Sequence, residues 1–259
     1  MRASIIALLL VLTLGGRHAV ADEEFIRLPT RPGVAQPFWL MMPPGPPVAS
    51  VILFTGGPGL LFSERKPALT GRNFLIRSRD KFAAAGFLVA SVDGPSDHPE
   101  GLDSFRTSAE HAQDIAAVIA YLRQKAPVPV WLVGTSRGTI SAASVAARLK
   151  SGGPDGLVLT SSIVAPNRHL AAIHGVVDVE AIAVPTLFVH NRDDGCAVCP
   201  FGAVAGEMAR FTHAPRKELM AVSGGSPSEG DPCGPFARHG YIGIEDEVVA
   251  KIAGWIKGS

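Results

Sequence analysis

The chain of 259 residues contains 47% hydrophobic and 18% charged residues, a composition that excludes a disordered chain and a small disulfide-held domain. Its length suits one large α/β domain. The 24 basic and 23 acidic residues are scattered without a basic run, so the charge pattern disfavours a nucleic-acid partner.

The amino terminus has the pattern of an export signal. Arg2 precedes an apolar run, residues 4–14, that is about half as long as a bilayer crossing needs. The small residues of the A-V-A sequence that ends at Ala21 form a typical cleavage site. We therefore predict that residues 1–21 are a cleaved signal peptide, with a buried helix as the alternative. Residues 22–259 then form a single domain that is secreted or periplasmic and does not associate with a membrane.

Short apolar runs alternate with amphipathic stretches along the rest of the chain. The apolar runs and the turn residues that follow them predict strands at residues 48–55, 87–93, 130–133, 157–160, 186–190 and 218–222. Helical spacing of apolar residues predicts helices at residues 74–85, 109–125, 139–150, 202–211 and 245–256. This alternation predicts an α/β fold, a mostly parallel central sheet with helices on both faces.

A G-x-S-x-G pentapeptide carries the first chemical signal. It comprises Gly134, Thr135, Ser136, Arg137 and Gly138, and it lies between a predicted strand and a predicted helix. That is the setting of a nucleophile elbow, a strained turn that lifts a serine hydroxyl above the sheet. The two glycines are needed because the turn leaves no room for β-carbons on either side of the serine. The alternative is a tight turn in which the serine only caps the helix.

A serine nucleophile needs a base, because a serine hydroxyl at its ordinary pKa reacts poorly. Asp193 and Asp194 follow the strand predicted at residues 186–190, and His239 lies in the loop after the last predicted strand. Loops that follow parallel strands meet at the carboxyl edge of the sheet. Ser136, one of the two aspartates and His239 can therefore form a catalytic triad.

These segments resemble the α/β-hydrolase superfamily over residues 48–256. The stretch PTLFVHNRDD resembles the family's acid segment, P-x-L-x-x-x-G-x-x-D, and this likeness implies Asp194 as the acid, with Asp193 as the alternative. The stretch ARHGYIGIEDEVVAKIAGWI resembles the family's histidine and closing helix, which implies His239 as the base. The signal peptide, NFLIRSR, GTSRG and HGY together resemble secreted bacterial α/β-hydrolases of unassigned substrate.

The resemblance also implies an oxyanion hole. The sequence FTGGPG resembles the family's H-G-G-P-G loop, with Thr55 where histidine is common. This departure preserves the backbone N–H groups that hold an oxyanion, which the resemblance assigns to Gly57 and Arg137. The Arg137 side chain either favours an acidic substrate or pairs with a carboxylate. Only about 25 residues separate two strands where the family often inserts a cap, so we expect no large cap domain and an open site.

The function that this resemblance implies is two-step acyl transfer. We expect a carboxylesterase-like serine hydrolase that cleaves a small-molecule ester and needs no metal and no organic cofactor. A serine peptidase with the same triad is the first alternative. A non-catalytic binding protein on this scaffold is the second. The sequence does not determine the oligomeric state.

Three cysteines leave one unpaired thiol in an oxidising compartment. Cys196 lies two residues after Asp194, and Cys233 lies six residues before His239. We predict that these two cysteines form a disulfide between the acid loop and the base loop, with Cys199–Cys233 as the alternative. The C-x-x-C spacing of the first two cysteines lacks a second ligand pair, so we predict no metal site.

Overall fold

The structure, a computed structural model, describes residues 23–61 and 72–258; the predicted signal peptide lies outside them. Within these residues the strands are β1 (Glu23–Arg31), β2 (Val34–Met41), β3 (Ala49–Phe54), β4 (Phe87–Val92), β5 (Val130–Thr135), β6 (Gly156–Thr160), β7 (Thr186–Asn191) and β8 (Lys217–Val222). The helices are α1 (Phe74–Arg77), α2 (Arg79–Ala84), α3 (Ala109–Lys125), α4 (Gly138–Arg148), α5 (Ile173–Val176), α6 (Val204–Ala209) and α7 (Glu245–Lys257). Short 3-10 helices span Asp103–Thr107, Val179–Ala181, Phe201–Ala203 and Arg238–Gly240.

All the strands belong to one sheet, with the order β1-β2-β4-β3-β5-β6-β7-β8. β1 and β2 form an antiparallel hairpin, and β2 is also antiparallel to β4. Every other neighbouring pair is parallel. Strands β3 to β7 are buried along their whole length, because helices cover both faces of this part of the sheet. This topology confirms the predicted α/β class and its mostly parallel sheet.

Apolar side chains of the helices form one core on each face of the sheet. On one face, α3 contributes Ile115, Val118, Ile119 and Leu122, the residues whose spacing is typical of an amphipathic helix, and α4 packs beside it. On the other face, Phe82 of α2 packs with the apolar side of α7. The two cores hold the sheet rigid, which fixes the positions of the loops at its edges.

Parts of the structure differ from the sequence prediction. The helix predicted at residues 202–211 is a 3-10 helix, Phe201–Ala203, followed by the shorter α6. The helix predicted at residues 74–85 is two helices, because Ser78 adopts φ −109° and ψ 7°, outside the helical region. The hairpin of β1 and β2 was not predicted, and it adds two antiparallel strands to the edge of the sheet.

Residues 161–185 contain only the four-residue α5 and one 3-10 helix, so no large cap follows β6. The loops after β3, β5, β6, β7 and β8 all leave the carboxyl edge of the sheet, because these strands are parallel. Among the described residues, no helix is both long enough and apolar enough to cross a membrane.

Candidate active site

Ser136 lies in a sharp turn between β5 and α4. Its φ is 53°, in the left-handed region that residues with side chains rarely adopt. Its backbone N–H donates to the carbonyl oxygen of Thr160 on the neighbouring strand, at 3.0 Å. A β-carbon on Gly134 would lie 2.5 Å from the carbonyl oxygen of Gly138, and one on Gly138 would overlap that of Phe54. Both glycines are therefore required by close backbone contacts, as the elbow interpretation expects.

The loop after β3 passes close to this serine. A β-carbon on Gly56 would lie 2.9 Å from the β-carbon of Ser136. The next residue, Gly57, has φ 58° and lines the same cavity as the serine. Arg137 follows Ser136 directly and is the residue that precedes the first turn of α4. Of the two residues expected to supply oxyanion donors, Gly57 thus lies on the loop that approaches the candidate nucleophile, and Arg137 is its neighbour in the chain.

His239 and Asp194 form a buried pair at the same edge of the sheet. Nδ1 of His239 lies 2.9 Å from Oδ2 of Asp194, and their side chains are 5% and 0% exposed. The other carboxylate oxygen of Asp194 accepts the backbone N–H of Cys196 at 2.8 Å. Asp193 is exposed, and its carboxylate accepts the N–H of Gly224 instead. Of the two candidate aspartates, Asp194 is the one that contacts the histidine.

The second ring nitrogen of His239 is buried, and no hydrogen-bond partner lies near it within the described residues. His239 and Ser136 line one cavity of about 280 Å³. Its apolar walls come from the loop after β3 and from α1, which contribute Pro58, Leu60, Leu61, Phe74 and Ile76. The cavity therefore offers a small apolar space beside the serine and a histidine nitrogen able to accept a proton.

Residues that the sequence did not single out hold the backbone of His239. The hydroxyl of Ser161, just after β6, donates to the carbonyl oxygen of His239 at 2.7 Å. The hydroxyl of Tyr241 donates to the carbonyl oxygen of Val189 at 2.6 Å and accepts the N–H of Ser161 at 3.0 Å. Burial raises the pKa of Tyr241 far above its usual range, so this hydroxyl keeps its proton.

Arg77, at the end of α1, braces the same loop from the other side. It donates to the carbonyl oxygens of Pro235 and Gly240, both at 3.0 Å, and to the carboxylate of Glu245 at 2.8 Å. Arg77 belongs to the NFLIRSR sequence, which contributes to the resemblance but does not by itself predict this contact. The base loop is thus fixed by an arginine more than 150 residues away in the chain.

A disulfide joins Cys196 to Cys233, and Cys233 lines the cavity. Cys199 is a buried free thiol whose Sγ donates to the carbonyl oxygen of Ser161 at 3.2 Å. Burial raises the pKa of this thiol, which keeps it protonated and unreactive. Cys196, Cys199 and His239 each offer a ligand atom within 4.8 Å of the others, but the sulfur of Cys196 is committed to the disulfide.

The side chain of Arg137 is paired within the protein, which argues against a role in binding an acidic substrate. Its guanidinium forms an ion pair with the carboxylate of Asp103, which neutralises its charge.

Two other histidines near the core are neutral, because burial lowers the pKa of His111 and of His190 to about 3. His190 Nε2 accepts the N–H of Ser162 at 2.9 Å, a structural role.

The chain shares its fold with solved structures that are described as hydrolases, an esterase and a peptidase among them. No protein-family model matches the chain, and no curated protein matches it in sequence. A structure described as an α/β serine hydrolase homologue from Coxiella burnetii is 17% identical, with a TM-score of 0.59 over 89% of this chain and 96% of that one. An esterase from Pyrococcus furiosus is 14% identical, with a TM-score of 0.65 over 92% and 91%. An acylaminoacyl peptidase from Pyrococcus horikoshii is 12% identical, with a TM-score of 0.62 over 93% of this chain and 42% of that one.

Proposed function

We propose that this protein is a serine hydrolase that cleaves small esters through an acyl-enzyme. The observation that carries the proposal is the buried, hydrogen-bonded pair of His239 and Asp194 in the cavity that Ser136 lines from a strained turn. A strained backbone at a cavity and a histidine oriented by a buried carboxylate are the features that activate a serine for attack on a carbonyl.

In the first step, Nε2 of His239 takes the proton of the Ser136 hydroxyl as its oxygen attacks the carbonyl carbon of the substrate. Asp194 accepts the Nδ1–H of His239, which fixes the tautomer and stabilises the charged ring. The proton on Nε2 then passes to the leaving alkoxide, and an acyl-serine remains. Water repeats the sequence on the acyl-serine, which releases the acid and restores the hydroxyl.

Negative charge develops on the carbonyl oxygen in both steps. We assign its stabilisation to the backbone N–H groups of Gly57, which lines the same cavity as Ser136, and of Arg137, the next residue after Ser136. Backbone donors of this kind need no movement during the reaction, because the loop and the start of α4 are already fixed. None of these steps needs a metal or an organic cofactor.

A small ester is the substrate class that suits the cavity best. Its volume of about 280 Å³ lies at the lower end of ligand pockets, which run from about 300 Å³ upwards. A serine peptidase on the same fold is the second candidate. Similar structures include both an esterase and a peptidase, so the fold does not separate them. Digestion of a peptide library beside a panel of esters separates the two.

A third candidate, a binding protein without catalysis, is disfavoured because all three triad side chains are retained.

We also propose that the mature protein is secreted or periplasmic after cleavage behind Ala21. The apolar run at residues 4–14 and the disulfide, a bond typical of oxidising compartments, support this location. We expect no nucleic-acid partner and no membrane partner for the mature domain.

Labelling with a fluorophosphonate, which reacts with activated serines, tests the proposal. We expect the wild-type protein to be labelled and Ser136→Ala to be unlabelled, with ester turnover reduced by about 1000-fold or more. Ser151→Ala is the matched control, because Ser151 is exposed at the end of α4, away from the cavity. A Ser136→Ala protein that kept more than about a tenth of the activity would show that the nucleophile lies elsewhere.

A further inference from the structure

A buried arginine lies behind the loop that follows β3. Arg106 belongs to the 3-10 helix Asp103–Thr107 and is 1% exposed. Its Nη2 donates to the carbonyl oxygen of Gly57 at 2.9 Å, and its Nη1 donates to the hydroxyl of Ser141 at 2.9 Å. One guanidinium thus connects the loop of the first oxyanion donor to α4, the helix that begins beside the second donor.

Within the described residues, Arg106 forms no hydrogen bond or ion pair with an acidic side chain, although the nearby carboxylate of Asp103 acts to raise its pKa. Its hydrogen-bond acceptors are a carbonyl and a hydroxyl, and its Nε is buried without a partner in that part of the chain. Burial lowers the pKa of Arg106 to about 9, so the group stays charged near neutral pH. A buried cation without a direct anionic partner is costly, and charged groups perturbed in this way cluster at functional sites.

The loop is shaped around this side chain. A β-carbon on Gly59 would lie 2.6 Å from Nη2 of Arg106, so only glycine leaves space for the guanidinium. The residue before the 3-10 helix, Leu102, donates its N–H to the carbonyl oxygen of Pro58 at 2.9 Å. The 3-10 helix and the loop therefore form one packed unit, in which Arg106 fixes the peptide plane that follows Gly57.

We infer that Arg106 is a positioning residue for the oxyanion hole, and this inference rests on the proposed function. It holds the peptide that follows Gly57, next to the one that carries the donor N–H, in a fixed relation to the first part of α4, and its charge adds positive potential behind the oxyanion loop. A negative charge that develops on a substrate oxygen is stabilised by a fixed cation and fixed dipoles more than the neutral ground state is. Arg106 therefore raises kcat and affects KM little.

Kinetics per active site test the inference. Arg106→Met keeps an unbranched apolar side chain in place of the arginine stem and removes the charge and the donors, and Arg106→Lys keeps the charge but cannot reach both acceptors. Active sites are counted by the amplitude of fluorophosphonate labelling, and kcat and KM are measured with p-nitrophenyl acetate. For Arg106→Met we expect kcat per site to fall about 10- to 100-fold, less than for loss of a direct donor, with KM changed by less than about threefold.

An alkylboronic acid adds a second readout, because its tetrahedral adduct with the serine is anionic. We expect its Ki to rise in parallel with the loss in kcat for Arg106→Met, and Arg106→Lys to recover part of both effects. Arg123→Met is the matched control. Arg123 also bridges backbone carbonyls, those of Gly152 and Gly153, but at the opposite edge of the sheet. Its loss should lower stability and leave kcat per site unchanged.

The outcomes separate this inference from the proposed function. If Arg106→Met lowers only the number of labelled sites and leaves kcat per site unchanged, or if it changes only KM, the arginine has a structural role and the inference is wrong. If Arg106→Met does not fold and Arg106→Lys does, a kcat per site of Arg106→Lys equal to that of the wild type overturns the inference. If the wild-type protein itself is neither labelled nor active on esters, the proposed function fails, and the inference fails with it.

Discussion

Three residues other than glycine have positive φ angles in the described ranges, and all three belong to the candidate site. They are Ser136, Ser161 and Tyr241, with φ values of 53°, 45° and 57°. Each such conformation costs about 1–3 kcal/mol and persists only where the surroundings fix it. Here hydrogen bonds between neighbouring strands supply that restraint. The strain of this fold is concentrated where the serine and histidine must be held in place.

Tyr241→Phe should destabilise the protein and slow the reaction. The change removes one hydroxyl and its two hydrogen bonds, so the N–H of Ser161 and the carbonyl of Val189 keep only their bond to each other, at 3.0 Å. Each lost hydrogen bond should lower the free energy of unfolding by about 0.5–1.5 kcal/mol. Because Ser161 also holds the carbonyl of His239, we expect kcat to fall as well. Urea denaturation and ester kinetics measure the two effects.

Tyr121→Phe is the control for this variant. Tyr121 is the only other tyrosine of the sequence, and it lies half-buried on α3, far from the base loop. Its ring contacts that of Phe38 and the ammonium group of Lys125. We expect both the stability and kcat of Tyr121→Phe to stay near the wild type. Equal effects of the two substitutions would contradict the role of Tyr241.

Asp194→Asn should remove most of the activity without unfolding the protein. An asparagine keeps the shape of the carboxylate but cannot stabilise the charged ring of His239, and it favours the wrong tautomer. We expect kcat to fall about 1000- to 10,000-fold. The neighbouring Asp193→Asn is the control, since its carboxylate accepts only the N–H of Gly224. Ester kinetics in which Asp193→Asn is the more damaging change would reverse the assignment of the acid.

The residues around His239 show which parts of the site a sequence can predict and which it cannot. Ser136, Asp194 and His239 follow local patterns, so their positions could be proposed from the sequence. Ser161 and Arg77 reach the base loop from 78 and 163 residues away. No local pattern encodes such contacts, because they depend on how the strands are ordered in the sheet.

At the scale of elements, two glycines in helices should respond oppositely to alanine. Gly138 begins α4, where a β-carbon would overlap the carbonyl oxygen of Phe54, and that backbone cannot move. Gly254 lies inside α7, exposed, with no atom within 4 Å of its added β-carbon. We expect Gly254→Ala to stabilise the fold by about 0.5–1 kcal/mol. We expect Gly138→Ala to destabilise it by about 3 kcal/mol, as measured by urea denaturation. Similar effects at both positions would contradict the tight contact behind the elbow.

The disulfide should support both stability and activity, because it joins the acid loop to the base loop. Its cysteines are 37 residues apart, and closing a loop of that length restricts the unfolded chain by about 4 kcal/mol. Cys233→Ala should therefore lower the melting temperature and reduce kcat, as the base loop gains freedom. Cys199→Ala is the control, since it leaves the disulfide intact. A Cys233→Ala protein with wild-type stability would argue that the bond is dispensable.

The element that the sequence prediction missed is instructive. β1 and β2 pair at the edge of the sheet, and each contains a proline, Pro29 and Pro37, a residue that counts against a strand. β1 is the edge strand, where a proline without an N–H donor is tolerated, whereas β2 lies between β1 and β4, and Pro37 comes just before its first residue paired with β4. The turn sequence Pro32-Gly33 was the available signal, with Gly33 at φ 74°. The parallel strands were easier to predict, because their burial on both faces leaves continuous apolar runs.

At the scale of the whole molecule, the sheet turns residues from distant parts of the chain into one site. The loops after β3, β5, β7 and β8 bring Gly57, Ser136, Asp194 and His239 to the same edge. Helices on both faces and a disulfide between two of these loops hold that edge in place. Since no large cap follows β6, substrate selection falls to the short loops around the cavity.

The cavity's size sets the expected substrate range. Each methylene group that finds an apolar wall contributes about 0.8 kcal/mol, which is roughly a fourfold gain in kcat/KM. The walls available in the described residues, Leu60, Leu61, Phe74 and Ile76, enclose about 280 Å³ beside Ser136. On a series of p-nitrophenyl esters, kcat/KM should therefore rise from acetyl to butyryl and then level or fall.

The shape of this series matters more than its height, because activated esters react with many exposed serines. Ser136→Ala run on every ester supplies the background to subtract, and the spontaneous hydrolysis of each ester corrects for its own reactivity. A methylene that extends beyond the cavity meets water in both the ground state and the transition state, so it adds no differential stabilisation. A steady rise in kcat/KM to acyl chains of eight or more carbons would instead require a longer apolar channel, and the prediction of an open site would be wrong.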